Sequence, residues 1–222
     1  MSSPRRANVY VDGFNLYYGC LRGTNHKWLD LLALARLILP KEHVNRVRYF
    51  SAQVSGNQDP GAPARQESYL RALRTLPGVT VHLGTFLSND KSMPLAPPPT
   101  TGEEPGLLYR RPTGKRYAWV RRTEEKGSDV NLATYLLLDA FDQDFELAVV
   151  ISNDSDLAEP IRIIRERFCT IGVVNPHRIP NKKLTDAASW HVQLFRSKLA
   201  QAQLPDTLTD AKGRITRPLD WQ

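Results

Sequence analysis

Three aspartates sit where a chain could perform chemistry. Asp12 closes the run Asn8-Val-Tyr-Val-Asp12, and Asp154 and Asp156 lie in Ser152-Asn-Asp-Ser-Asp156. A fourth, Asp129, opens the segment after Lys126-Gly-Ser128. Carboxylates gathered without lysine or arginine between them repel one another, and such a cluster is normally neutralised by a cation. Oxygen ligands select Mg²⁺ or Mn²⁺ over zinc. Mg²⁺ keeps several waters, so the expected reaction is in-line attack of a metal-activated water on a phosphodiester, with no side chain needed as base. Asp12, Asp129, Asp154 and Asp156 are thus the candidate metal ligands, direct or through water.

The elements that must position them can be read from the same sequence. Asn8 to Asp12 reads as a buried strand, and Glu146-Leu-Ala-Val-Val-Ile151 as a fully buried central one. Pro160 is tolerated only in the first turn of a helix, which leaves Asp154 in the connecting loop and Asp156 beside the helix start. Further helices are expected over Trp28 to Leu39, Pro60 to Leu76, Asp129 to Ala140 with Ser128 as N-cap, Pro160 to Arg167, and Trp190 to Gln203. Further strands are expected over Val44 to Gln53, Val79 to Leu83 and Cys169 to Val174. Such alternation implies an α/β fold, a mostly parallel sheet covered on both faces. Ligands bind such sheets outside the carboxyl ends of the strands, where Asp12 and Asp154 both fall.

The flanking regions are expected to do less. Residues 1–7 read as a flexible N-terminus, 8–203 as the domain, and 204–222 as a loosely attached C-terminal extension. Ser88 to Gly106 carries five prolines and reads as an exposed loop, and Leu107 to Arg122 as a hairpin turning at Pro112-Thr-Gly-Lys115. No GxGxxG follows the first strand and no GxxxxGK[ST] occurs, so dinucleotide-binding and P-loop readings lose their main support. Cys20 and Cys169 show no zinc or disulfide spacing, and His26, His43, His82, His177 and His191 form no pair at metal spacing. The N-terminal apolar run is too short for a signal peptide or membrane span, which points to a cytoplasmic protein without a membrane partner.

Taken singly, the acids have plainer explanations. Asp129 or Asp156 at a helix start could be a cap, worth about 1 kcal/mol, and Asp12-Gly13 merely a turn. What favours a site is that Asp12 and Asp154 each follow an uncharged buried strand, which caps do not require.

Three stretches also resemble a known family: Val9-Tyr-Val-Asp-Gly-Phe-Asn15, Glu124-Glu-Lys-Gly-Ser-Asp-Val-Asn-Leu-Ala133 and Val150-Ile-Ser-Asn-Asp-Ser-Asp-Leu157. In this order they are similar to the signatures of NYN-domain proteins, a branch of the PIN-like nuclease superfamily, over roughly residues 8 to 195. The resemblance implies a three-layer, Rossmann-like (PIN-like) fold and Mg²⁺-dependent endoribonuclease chemistry. It sets the acidic positions on Asp12, Asp129, Asp154 and Asp156. Asn15 would hydrogen-bond a metal water or a phosphate oxygen, and Ser152 and Asn153 would orient the aspartates or simply complete a turn.

The net charge of +7 favours a polyanionic partner. Arg110, Arg111, Lys115, Arg116, Arg121 and Arg122 are interleaved with Tyr109, Tyr117 and Trp119. That mixture suits single-stranded or structured RNA, because cations can track phosphates while rings accept stacked bases. Lys126 could approach the scissile phosphate. The plainer alternative is a solvated hairpin with Trp119 in the core. The sequence therefore reads as a metal-dependent endoribonuclease, with a regulatory protein partner as a further expectation. Two rivals remain: an RNA-binding or regulatory module with little turnover, and a phosphohydrolase of small nucleotides, which needs a closed pocket.

Overall fold

The computed structural model describes residues 3–56, 59–95, 109–110 and 116–221. The chain opens with β1 (Arg6–Asp12), α1 (Gly13–Leu16) and a π-helical turn, Tyr17–Leu21. It continues through α2 (Leu31–Ile38), β2 (His43–Ala52), α3 (Ala62–Arg74) and β3 (Val79–Pro94). After β4 (Tyr109–Arg110), β5 (Arg116–Lys126) and α4 (Ser128–Phe141) come β6 (Leu147–Ile151), a 3-10 turn Ser155–Leu157 and α5 (Ala158–Arg167). The last part holds β7 (Thr170–Asn175), α6 (Lys182–Ala187), β8 (Trp190–Gln193), α7 (Arg196–Gln201), β9 (Thr207–Asp210) and β10 (Gly213–Thr216).

The main sheet has the order β4-β5-β3-β2-β1-β6-β7-β8, parallel from β3 to β8 and antiparallel at β5 and β4. The chain winds outward from β1 through β2 and β3, then returns to β6 and winds the other way. The direction of winding thus reverses between β1 and β6, where the carboxyl ends of two neighbouring strands leave a crevice.

Strand periodicity divides the core. Val9 and Val11 pack with Leu34 of α2, Leu70 of α3 and Leu199 of α7, whereas Tyr10 packs with Leu136 of α4, Ile161 of α5 and Leu184 of α6. A buried ion pair crosses the second cluster: Arg48 Nε and Nη2 each donate to Asp139 at 2.7 Å, and the Tyr10 hydroxyl donates to Asp139 Oδ2 at 2.7 Å. These bonds satisfy groups that would otherwise cost several kcal/mol to desolvate.

Several expectations need correction. Ser88 to Pro94 is strand, not loop: β3 runs on to Pro94 and pairs with β5 from Thr85↔Lys126 to Pro94↔Tyr117. Both faces of that ribbon are largely wet, so no alternation of apolar residues announces it. The rest of the Pro-rich stretch and the turn at Pro112 to Lys115 lie outside the described residues, although β4 and β5 do pair as a hairpin. Ser128 is not the N-cap; Gly127, at φ +99°, precedes the helix, and Glu125 Oε1 accepts the Ser128 N–H at 2.9 Å.

The expected helix from Trp190 to Gln203 is instead a strand followed by a short helix. Trp190–Gln193 extends the sheet parallel to β7, and the Trp190 indole lies directly over Gly172, where a Cβ would collide with the ring. The short helix α6 was not expected at all. At the N-terminus, β1 begins at Arg6 and the Arg5 backbone N–H donates to Glu42 Oε2 at 2.9 Å, so this end is anchored rather than flexible. The C-terminal extension is packed, not loose. Its hairpin β9/β10 buries Ile215, Arg71 makes a bidentate pair with Asp210, and Trp28 Nε1 donates to the Pro205 carbonyl at 2.8 Å.

Candidate active site

Asp12, the last residue of β1, is 2% exposed. Its Oδ1 accepts the Asn15 backbone N–H at 3.0 Å, while Oδ2 accepts Asn15 Nδ2 at 2.7 Å and the Ser152 hydroxyl at 2.8 Å. Asn15 Oδ1 accepts the Asn153 N–H at 3.2 Å, so a single amide ties the end of β1 to the end of β6. Ser152 Oγ also accepts the Asp154 N–H at 3.0 Å. Asp154 in turn caps the 3-10 turn through Oδ1 and the Asp156 N–H at 3.0 Å. Asn153 reaches outward: its Oδ1 accepts the Asn181 N–H at 2.7 Å and its Nδ2 donates to the Ile179 carbonyl at 3.1 Å. Ser152, Asn153 and Asn15 therefore form the frame in which Asp12 and Asp154 are held.

Asp129 arrives from the other side, in the first turn of α4. Burial, reinforced by the charges of Asp12, Asp154, Glu125 and Asp156, pushes its carboxyl up to about 7. Burial also raises Asp12, with a contribution from Asp154, against the lowering effect of its hydrogen bonds from Asn15 and Ser152. Five carboxylates from β1, β5, α4 and the loop after β6 therefore share one field. Glu125 was not among the residues singled out from sequence. It lies within the motif stretch Glu124 to Ala133, and its position three residues before the first helical N–H was the available signal.

The donor chemistry fits a hard divalent cation. All the acids offer oxygen, and the Asp129 carboxyl is pushed up to about 7 by burial first and then by its acidic neighbours. Beside it the Ser128 hydroxyl, 3% exposed, has no hydrogen-bond partner among the described residues. A fully direct set is not formed, however: among the described residues no three His, Cys, Asp or Glu side chains stand where they could hold a metal ion between them. The expectation of four ligands, direct or through water, therefore has no direct set of three or more behind it among the described residues.

The expected nucleic-acid residues lie on or near the β3/β5 ribbon. Trp119 is 71% exposed rather than tucked into the core. Arg121 makes a bidentate pair with Asp90 at 2.9 and 3.1 Å, Arg122 pairs with Glu124, and Lys126 Nζ lies 3.6 Å from Glu124. Arg116 and Tyr117 are half-buried at the start of β5. Arg111 and Lys115 lie outside the described residues, as do the side chains of Tyr109 and Arg110. The ribbon joins the body at Lys126, close to Asp129, but Trp119 is seven residues along the strand, about 24 Å away at 3.4 Å per residue.

Comparison with known proteins places the chain beside a family, a curated relative and a solved structure. The NYN domain family matches residues 108–195, a span that includes Asp129, Asp154 and Asp156 and begins after Asp12. The 6-hydroxy-3-succinoylpyridine 3-monooxygenase HspA of Pseudomonas putida is 33% identical over 246 aligned positions, which cover 99% of this chain and 76% of that protein. The crystal structure of a protein of unknown function from Vibrio parahaemolyticus superposes with a TM-score of 0.54 at 19% identity, over 88% of this chain and 97% of that one. At that identity the likeness speaks for the fold alone. Among the described residues no helix is long and apolar enough to cross a membrane.

Proposed function

Because the chain belongs to the NYN domain family, whose members are typically nucleases, we propose that it is a divalent-metal-dependent endoribonuclease. One observation carries this reading: near the winding reversal between β1 and β6, the charges of Asp12, Asp154, Glu125 and Asp156 add to the effect of burial and push the Asp129 carboxyl up to about 7. Such a field is stable when a cation shares it. We read the fold as the three-layer PIN-like arrangement, supported by the two helix sets packed against alternate faces of β1.

Asp12, Asp129 and Asp154 would hold Mg²⁺ or Mn²⁺ directly or through water, with Asp156 and Glu125 at the edge. The ion, when bound, activates water and withdraws charge from the phosphodiester. Asn15 keeps one carboxylate face of Asp12 fixed by two hydrogen bonds, leaving the remaining lone pair of Oδ1 for the ion or its water. Ser152 and Asn153 hold Asp154 in register with Asp12. The exposed ribbon offers Trp119 for stacking, and its surface ion pairs are weak enough to be exchanged for phosphates.

The test uses end-labelled single-stranded and structured RNA with Mg²⁺, Mn²⁺ or EDTA. Cleavage should require the metal and vanish in Asp154→Asn, while far-UV circular dichroism is unchanged. Full activity in that purified variant would overturn the assignment. Tight RNA binding with no metal-dependent product would favour a binding module instead. A second reading comes from the Pseudomonas relative, whose name assigns oxygenation of a hydroxypyridine. Monooxygenation consumes dioxygen and two electrons, so oxygen uptake dependent on 6-hydroxy-3-succinoylpyridine and an added two-electron reductant would select it over the nuclease.

A further inference from the structure

Next to the acidic site, on the other side of α1, lies a cleft of about 410 Å³. We propose that this cleft binds a planar heteroaromatic ring, presented next to the acidic site either as a base of a polynucleotide or as a free ring compound. The polynucleotide source rests on the nuclease reading above; the ring site itself does not.

The position comes first. α1 is a shared wall: Asp12 and Asn15 belong to the acidic frame, whereas Gly13, Phe14 and Leu16 line the cleft. Tyr49, at the carboxyl end of β2, packs so closely on Gly13 that a Cβ there would lie 2.6 Å from its ring and hydroxyl. Only glycine lets that phenol approach, and the Asp12 charge reaches it. A ligand in the cleft therefore sits one residue away from the first aspartate.

The lining selects the ligand class. Phe14, Tyr17, Tyr18, Tyr49, Tyr69 and Trp221 provide six rings, with Tyr69 edge-on to Tyr49 at 6.2 Å and to Trp221 at 5.9 Å. Rings held edge-on leave faces and edges free for a further ring. The volume lies in the range of small-ligand sites. Several of the polar groups are already committed. Gln66 is committed at both ends, to the Val54 N–H and the Ala52 carbonyl, and Arg65 is held by Asp59 and Asp220. Lys27 makes no ion pair among the described residues, and its Nζ stands 6.0 Å over the Trp221 ring. Tyr49 is buried and its side chain shares a hydrogen bond with Ser51. An aromatic slot edged by tyrosines and the Lys27 ammonium suits a ring with acceptor atoms or an anionic substituent, as nucleotides and pyridine carboxylates have.

The test measures binding, not turnover, on the full chain in EDTA. The probes are uridine 5′-monophosphate and pyridine-3-carboxylate, followed by saturation-transfer NMR and titration calorimetry. A short oligonucleotide containing 4-thiouridine is crosslinked in parallel. Two variants accompany wild type: Tyr17→Ala, which removes a 37% exposed wall residue, and Ala62→Trp, which fills the cleft from the start of α3. At least one probe should bind wild type, weaken about tenfold or more in Tyr17→Ala, the loss of one stacking contact, and be lost in Ala62→Trp. Both variants should keep the wild-type circular dichroism. Binding of the nucleotide, with crosslinks on Tyr17, Tyr18 or Trp221, identifies the polynucleotide source; binding of the pyridine alone identifies the free ring; either supports the site. The proposal is overturned if neither probe binds, or if binding is indifferent to both variants. Ring binding that persists in a protein without metal-dependent cleavage would remove the nuclease reading alone.

Discussion

Replacing Asp129 by asparagine should stabilise this protein in the absence of metal, and only at higher pH. In the folded chain the Asp129 carboxyl is pushed up to about 7, first by burial and then by four acidic neighbours. In the unfolded chain it ionises near its ordinary value of about 4. The folded state thus holds an extra proton between pH 4 and 7, so stability falls as pH rises through that window, and the full penalty is present above 7. At about 1.36 kcal/mol per pH unit the displacement corresponds to about 4 kcal/mol; because Asp129 is only half-buried, solvent screening reduces this to about 1–2 kcal/mol. Asparagine has nearly the same shape and no charge, so Asp129→Asn removes the penalty. At pH 8 in EDTA its melting temperature should exceed that of wild type by about 2–8 °C, at 2–4 °C per kcal/mol for a chain of this size. At pH 4 the difference should vanish.

Metal reverses the order. Mg²⁺ at about 100 times its dissociation constant would stabilise wild type by about 2.7 kcal/mol through mass action, and the variant by much less. Differential scanning fluorimetry at pH 4, 6 and 8, with EDTA or Mg²⁺, gives all the values in one experiment. An equal gain for Asp129→Asn at pH 4 and pH 8 would refute the electrostatic account, and an equal response of both proteins to Mg²⁺ would refute Asp129 as a contributor to the cation site.

Asn15→Ala removes both the 2.7 Å bond to Asp12 and the 3.2 Å bond from Asn153; metal-dependent cleavage should fall at least about tenfold and stability by about 1–3 kcal/mol, read from initial rates and urea denaturation. Arg48→Ala leaves Asp139 buried without its cation and should cost about 3–5 kcal/mol in the same denaturation experiment, with no change in the metal dependence of any surviving activity. Gly172→Ala forces a methyl into the Trp190 ring and should cost about 1–3 kcal/mol, seen as a lower melting temperature and a changed Trp environment in near-UV circular dichroism.

The legibility of this chain follows burial. β1 and β6 could be read directly because both faces of each are covered by helices, so their residues form uninterrupted uncharged runs that end at Asp12 and just before Asp154. The β3/β5 ribbon has two wet faces, leaving no hydrophobic period, and its strand character arises only from pairing across more than thirty residues of chain, from Asn89 to Arg122 for example. Trp190 to Gln193 reads as the start of one helical run to Gln203, yet the open edge of β7 and the missing side chain of Gly172 make a strand there. The polar tail reads as loose because its anchors, Asp210 and Ile215, are separated in sequence from Arg71 and the core they meet.

By itself the sequence determined the mixed α/β class, the strands that carry Asp12 and Asp154, and the acids to consider as a site, since each of these depends on local residue type and on spacing within a few turns of chain. Only the tertiary structure decided that Glu125 joins the acidic field, that Asn15 bridges two strand ends, that Arg121, Arg122 and Lys126 are already paired, and that rings from Phe14 to Trp221 line a cleft beside α1. Those facts depend on which distant segments become neighbours. That is set by crossover connections and by packing against both faces of the sheet, and no local pattern of residues records it.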